Sequence, residues 1–288
     1  MKSRSASKIK LTSYDDLLGG TAALEDIREV AIDELHSFAG HPFKVKDDEE
    51  MKELVESVKA QGILTALLVR PLKKGGYEII SGHRRKHAAE LAGLEQVPVI
   101  VREMDNDSAV RAMVDSNLQR ENILPSEKAF AYRMKMEAVK HQGISGADSA
   151  KEVGKSSNDS SRQVYRYIRL TYLTNTLLKT VDEKLIKLQT GEQLSYLSII
   201  EQEMVEEVHG STGKYPSLEQ AKQLRQHREE KTLTKEIVRL LIIGEPKKKR
   251  TIILKQDDIK KYFPLDYDEQ KMRNIICQLL EEWSNQNH

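Results

Sequence analysis

The sequence predicts an α+β N-terminal domain, an all-α domain carrying a helix-turn-helix, and a small α/β C-terminal segment. Three observations carry that reading. Up to Arg102, short β-branched runs alternate with helical patterns punctuated by glycine, the mark of a mixed domain. From Ser126 onward strand signals vanish and apolar residues recur at helical spacing. Near the end a strand-like run, Arg250 to Lys255, precedes a strongly amphipathic helix. The expected boundaries are a mobile polar tail over 1–20, the mixed domain over 21–124, the helical domain over 125–232 and a terminal segment over 233–288. The helix-turn-helix is expected near 147–173.

Composition narrows the function classes. The chain has 288 residues, 39% hydrophobic and 32% charged, with a net charge of +1. The whole chain is not basic, so any nucleic-acid contact must come from local clustering. The basic, serine-rich Met1 to Thr12 has no apolar run of signal-peptide type, and no stretch approaches a membrane span. The single cysteine, Cys277, excludes an internal disulfide framework and fits a reducing cytoplasm.

In the mixed domain, Arg28 to Ile32 reads as a strand leading into an Asp33-Glu34 turn. A helix opens at Lys46-Asp-Asp-Glu-Glu, with acids where the helix dipole favours them. Met51, Leu54, Val55 and Val58 form its apolar side, and Gly62 closes it. Ile63 to Arg70 reads as a strand, followed by a Lys73-to-Gly76 turn. Tyr77 to Ile80 forms the next strand, Gly82 breaks it, and His83 to Leu91 reads as a helix with Ala88, Ala89 and Leu91 apolar. Val97 to Arg102 is a further strand. A strand running through glycine into a helix leaves N–H groups unpaired at an end that favours anions. Arg84 and Arg85 sit in that first turn, where cations oppose the dipole unless an anion lies between. A phosphate would resolve the conflict; a solvated basic helix start is the plain alternative.

Asp107 to Gln119 reads as a helix. The polar run Asp115-Ser-Asn-Leu-Gln-Arg-Glu-Asn122 is either a helix end or a second polar wall facing Gly82, and spacing does not choose. Ser126 is the expected cap of a helix to Gln142. Ala147 to Val153 and Ser161 to Leu173 then flank a Gly154-to-Ser160 turn, longer than the usual three or four residues or so. On the second helix Ser161, Arg162, Gln163, Tyr165, Arg166 and Arg169 form a polar face suited to phosphates and base edges; a basic surface helix is the alternative. Further helices are expected over Leu177 to Gln189, over Ser195 to His209, and from Ser217. Gln223 to Lys235 reads as exposed helix or linker, and Lys247 to Arg250 as a basic run that either touches phosphates or is solvated. The final helix lines up Met272, Ile275, Ile276, Leu279, Leu280 and Trp283, a face too broad for so short a segment to bury alone. Homodimerisation is the expected solution, with docking onto the chain's own helices as the alternative.

Ser81-Gly-His-Arg-Arg85, with Glu53 to Pro71 before it and Asn117-Leu-Gln-Arg-Glu-Asn-Ile-Leu-Pro-Ser-Glu-Lys-Ala129 after it, resembles the ParB family of plasmid and chromosome partition proteins. The likeness covers roughly residues 25–205, with three boxes in order before the helix-turn-helix. It implies a ParB/sulfiredoxin-like N-terminal fold that binds CTP with Mg²⁺. The implied cofactor-binding residues are Gly62, Thr65, Ser81, Gly82, His83, Arg84, Arg85, Asn117, Gln119, Arg120 and Glu121, with Asn117 on the metal. It also implies double-stranded DNA with a palindromic centromere-like site as partner, read from a helix beginning at Arg162. A homodimeric clamp closed by nucleotide and reopened by slow hydrolysis, a ParA-type ATPase partner, and a cytoplasmic, nucleoid- or plasmid-associated location complete the expectation.

The chain departs from the family pattern at His83 and Ser116, where glutamates are usual, at His41-Pro-Phe-Lys-Val45, and at Thr65-Ala66. Since Mg²⁺ prefers an anionic oxygen, Asp115 or Glu121 would have to substitute, and hydrolysis is less supported than binding. A divergent member carried by a plasmid or mobile element fits these departures. Three other readings compete. A sulfiredoxin-type enzyme needs a cysteine where Ser81 stands. A transcription regulator would use the helix-turn-helix without nucleotide gating. A zinc site on His83 and His87 lacks a third ligand nearby.

Overall fold

The computed structural model describes residues 27–120, 122–143, 147–244 and 261–287. The chain forms two compact units, residues 1–243 and 244–288. In the first, β1 (Ile27–Ala31), β2 (Leu35–Ser37), α1 (Glu49–Gln61), β3 (Leu67–Pro71), β4 (Tyr77–Ser81), α2 (His83–Ala92) and β5 (Gln96–Val101) form the mixed part. The five strands lie in the order β1-β5-β3-β4-β2. Pairing alternates across the sheet: β1 with β5 and β3 with β4 are antiparallel, while β3 with β5 and β2 with β4 are parallel.

Side-chain alternation along the strands gives the sheet two different faces. Leu67, Val69, Ile79, Val97 and Val99 bury one face with Met51, Val55 and Val58 of α1 and Ala88 and Ala89 of α2. Ile80 faces the other side, in a core that also holds Phe38, Phe43 and Met113. That second core belongs to α3 (Asn106–Leu118) and α4 (Pro125–His141) and runs on to Val153 and Val164 of α5 (Ala147–Gly154) and α6 (Ser161–Leu170). The mixed part and the start of the helical part therefore share one core.

A third core gathers α7 (Asn175–Asp182), α8 (Leu188–Leu194), α9 (Ile199–Thr212), α10 (Leu218–Glu229) and α11 (Lys235–Ile243) around Leu170, Leu177, Leu194, Val205 and Leu224. Several expectations change here. The stretch from Leu177 to Gln189 is two helices, because Lys184 takes a left-handed turn at φ 60°. The helix expected from Ser195 starts at Ile199, capped by Ser198. Within Gln223 to Lys235, Leu224 is fully buried and Leu233 is partly so. Helix α11 places Val238 and Ile242 in this core, so the helical body runs past residue 232. Leu91 is half exposed; the helix rests on Ala88 and Ala89, with Ala92 packed beside them.

In the second unit, Asp268 caps α12 (Glu269–Asn287) by accepting the Lys271 N–H at 2.7 Å. Leu279, Leu280 and Trp283 stand exposed on it. The tail over 1–20, the basic run Lys247 to Arg250 and the strand expected at Arg250 to Lys255 lie outside the described residues.

Candidate functional site

The turn after β4 is built around Gly82. Its φ of 112° lies in the left-handed region, and an added Cβ would fall 2.7 Å from Leu67 Cγ, so only glycine fits without displacing a core side chain. No side chain caps α2. Its first ladder bond runs from the Lys86 N–H to the Gly82 carbonyl at 2.9 Å, which leaves the N–H groups of His83, Arg84 and Arg85 ahead of the ladder.

The two arginines have different tasks. Arg85 donates to the carbonyls of Thr65 and Ala66, the latter at 2.7 Å, and so holds the loop between Gly62 and β3 against α2. Arg84 reaches Asp48 and Glu50, both at 3.4 Å. Those contacts are long, so Arg84 is held less firmly than Arg85. Asp48 caps α1 through the Met51 N–H at 3.0 Å. That backbone bond and the Arg84 charge outweigh its partial desolvation and hold its carboxyl below the ordinary range.

His83 is buried, and its ring lies tilted against that of His41, with centroids 3.8 Å apart and planes inclined at 37°. Burial, together with His41, Arg120 and Lys86 nearby, drops its pKa to about 3, and burial lowers that of His41 as well. Three of the buried side-chain atoms without a hydrogen-bond partner among the described residues are His41 Nε2, His83 Nε2 and Asn117 Oδ1. They come from three separate segments: the loop before α1, the start of α2 and the end of α3. Leaving a buried polar atom unpaired costs about 1–3 kcal/mol, so three on these three segments call for an explanation.

Asn117 uses its Nδ2 on the Met113 carbonyl at 2.8 Å, which leaves Oδ1 as an acceptor. Gln119 and Arg120 are exposed just beyond, with the Arg120 guanidinium 5.9 Å above the Phe43 ring. Gly62 ends α1 at φ 70°, Thr65 is exposed, and Ser81 is half-buried at the end of β4. Glu121 lies outside the described residues. Asp115 is committed elsewhere: it takes the Lys135 ammonium at 2.5 Å. Lys135 is buried and donates also to Ser156 Oγ at 3.0 Å. Nothing in the sequence marks that latch, because the three residues meet only when α3, α4 and the α5–α6 turn pack.

His87 turns to Asp47 at 2.7 Å, and no group of three His, Cys, Asp or Glu that could hold a metal occurs among the described residues. His83 lies against His41 and not His87. Ser126 is not the cap of α4 either. Its hydroxyl donates to Asp182 at 2.6 Å, and the Leu124 N–H is met by Glu127 at 3.1 Å.

The second candidate surface is α6. Ser160 caps it by accepting the Gln163 N–H at 3.3 Å. The long turn before it folds into a 3₁₀ segment and closes through Asn158 at φ 55°. Gly154 makes that closure possible, since a Cβ there would lie 2.2 Å from the Asp159 carbonyl oxygen. Val164 and Leu170 are buried, Ser161 and Gln163 are half-buried, and Arg162 and Tyr165 are exposed. Arg166 instead pairs with Glu192 of α8 at 2.6 Å and with Gln163 at 2.9 Å. Arg169 donates to Ser195 at 3.1 Å and lies 4.0 Å from the Tyr196 ring centroid.

The fold and site define a mixed-sheet domain with a glycine–arginine turn, sharing its core with a helical domain that presents a basic helix. Residues 19–118 match the family model of the ParB N-terminal domain, and the chain is similar in sequence to ParB partition proteins. It is 36% identical over 170 residues to Stage 0 sporulation protein J of Bacillus subtilis (strain 168), covering 59% of this chain and 57% of that one. The chain spans about half the length of the curated relatives it matches. Two solved structures of C-terminally truncated ParB from Caulobacter crescentus also match. One, complexed to the centromeric parS site, has TM-score 0.43 and 23% identity and covers 74% of this chain and 97% of that one. The other, complexed with CTP-gamma-S, has TM-score 0.31 and 25% identity and covers 60% and 93%. Among the described residues no helix is long and apolar enough to cross a membrane.

Proposed function

We propose that this chain is a DNA-partition protein that binds CTP at the Gly82 turn and reads a palindromic, centromere-like duplex with the α5–α6 helix-turn-helix. The observation that carries it is the uncapped α2 with a loosely held Arg84 at its start, together with three unpartnered buried polar atoms on the loop before α1, the start of α2 and the end of α3. In this reading the α2 N–H groups and Arg84 hold phosphate oxygens, and Arg85 keeps the loop through Thr65 in place. A magnesium ion would be held by Asn117 Oδ1 together with phosphate oxygens and water, because Mg²⁺ takes six oxygens and keeps several waters. The ion supplies charge neutralisation. Asp115 is engaged by Lys135, so hydrolysis has weak support from the described residues. Two chains joined through the terminal segment would place two α6 helices on the two half-sites, and nucleotide binding would close them around DNA. A ParA-type ATPase is the partner that this role requires.

Titration with the four nucleoside triphosphates tests the reading. CTP should bind preferentially, and Arg84→Ala should abolish that binding while leaving the first contact with a specific duplex largely intact. The reason is positional: α2 packs on the sheet face opposite the core that supports α6. Unchanged CTP affinity in Arg84→Ala would overturn it. Binding to a closed DNA circle separates this from a plain transcription regulator, which would show no CTP-dependent retention.

A further inference from the structure

Where the ends of α6 and α8 meet the starts of α7 and α9, the helical part holds an open cavity of about 780 Å³. Arg169, Tyr172, Tyr196, Ile199 and Arg228 are among its lining residues, and among the described residues no aspartate or glutamate lines it. The Arg169 guanidinium lies 4.6 Å from the Tyr172 ring centroid and 4.0 Å from that of Tyr196, and Arg225 stands 3.7 Å from the Tyr196 centroid. Such contacts fix a cation without neutralising it. Arg169 also donates to Ser195, and Arg228 to Glu201 at 3.0 Å, which leaves further N–H donors on each guanidinium. At the rim Tyr172, Ile199 and Ile200 are 53%, 65% and 67% exposed. Large exposed apolar side chains beside fixed arginines suit a partner that brings both a carboxylate and an aliphatic group. A polyphosphate chain suits the place less, because α9 carries Glu201, Glu203, Glu206 and Glu207 and isoleucines offer bases no stacking surface.

We propose that this cavity receives the segment Tyr14-Asp15-Asp16-Leu17-Leu18 of this protein. The segment lies outside the described residues, and its charge pattern complements the surface in both signs. Asp15 and Asp16 match Arg169 and Arg228, Leu17 and Leu18 match the isoleucine rim, and Lys8 and Lys10 precede them as counterparts for the α9 glutamates. Arg169 stands seven residues after Arg162, about 10 Å along the helix. A recognition helix offers its N-terminal residues to bases, so a segment docked at the far end of α6 leaves that start open. The inference rests on neither the nucleotide reading nor the DNA reading.

The test uses the full chain, with a labelled synthetic peptide of residues 8–20 as the probe. The recipient is D15N/D16N, so that the chain's own segment does not compete. Fluorescence anisotropy should show saturable binding, and Arg228→Gln or Ile199→Ser in that background should each weaken it tenfold or more. Both side chains are substantially exposed, so melting temperatures should stay unchanged. A peptide with Asn at positions 15 and 16 should lose as much. Without any peptide, hydrogen exchange over residues 171–175 and 195–199 should be slower in the wild type than in D15N/D16N. Equal exchange in the two chains, or peptide binding indifferent to both Arg228→Gln and Ile199→Ser, would overturn the assignment. So would tighter binding of a peptide of residues 252–261, which contains Asp257-Asp258-Ile259, since the occupant would then come from the terminal unit. Arg228-dependent binding of oligothymidylate in place of the peptide would make the cavity a nucleic-acid site instead.

Discussion

At the buried His83, one side chain turns a motif position into a pH-sensitive one. In the folded chain its pKa lies at about 3, driven down by burial and by nearby positive groups. The unfolded chain carries an ordinary histidine near 6.5. Between those values the unfolded state binds the extra proton, so stability is complete above about pH 6.5 and falls as pH drops toward 3. The slope reaches at most about 1.4 kcal/mol per pH unit. In chelator-treated buffer, denaturant midpoints from pH 7 to 4 should fall more steeply for the wild type than for His83→Gln. Parallel profiles would mean that His83 is hydrated and titrates normally.

Among the elements, α6 divides its cations between two tasks. Arg162 is exposed at the helix start, whereas Arg166 is tied to Glu192 with both side chains mostly covered. Arg162→Ala should therefore leave stability within about 0.5 kcal/mol and cost about 1–3 kcal/mol in specific binding, with preference relaxed at particular base pairs. Arg166→Ala should lower the melting temperature as well, because Glu192 loses its partner and α6 loosens from α8. Duplex titration over a substitution series, paired with thermal melts, separates the two. A uniform loss across all sequences with a reduced salt slope would make Arg162 a phosphate contact. The Lys135 latch joins α3 to the α5–α6 turn through Asp115 and Ser156, so the two candidate surfaces are mechanically adjacent despite lying in different parts of the chain.

For the whole molecule, the terminal unit poses the question of association. Helix α12 exposes Leu279, Leu280 and Trp283, and each such side chain is worth about 1.5–3 kcal/mol when buried. A twofold partner offers the same stripe in return. Deleting residues 247–288 should leave a folded monomer, because the compact unit ends at Ile243. That monomer should bind CTP and hold the palindrome weakly, and Ile276→Asp should do much the same. Light scattering without nucleotide checks it: a truncated chain that still dimerises with full affinity would place the interface elsewhere.

The sequence by itself determined most strands and helices of the mixed part, the glycine stops and the helix caps at Ser217 and Asp268, since these follow from local backbone preference; it missed β2 and α11, which are short and held by their neighbours. It determined the Gly82 turn as well, because a strand, a glycine and a basic helix start leave few alternatives. It misplaced the Leu177-to-Gln189 break, where Lys184 adopts a left-handed turn without the glycine that usually announces one. Only the tertiary structure decided which cations stay available. Arg85, Arg166 and Arg169 look alike in sequence to Arg84 and Arg162, yet packing gives them the carbonyls of Thr65 and Ala66, the carboxylate of Glu192 and the hydroxyl of Ser195. The same holds for His41, which meets His83 across 41 intervening residues. Such partners are set by how the sheet and helices close on each other, and no local pattern along the chain encodes that distance.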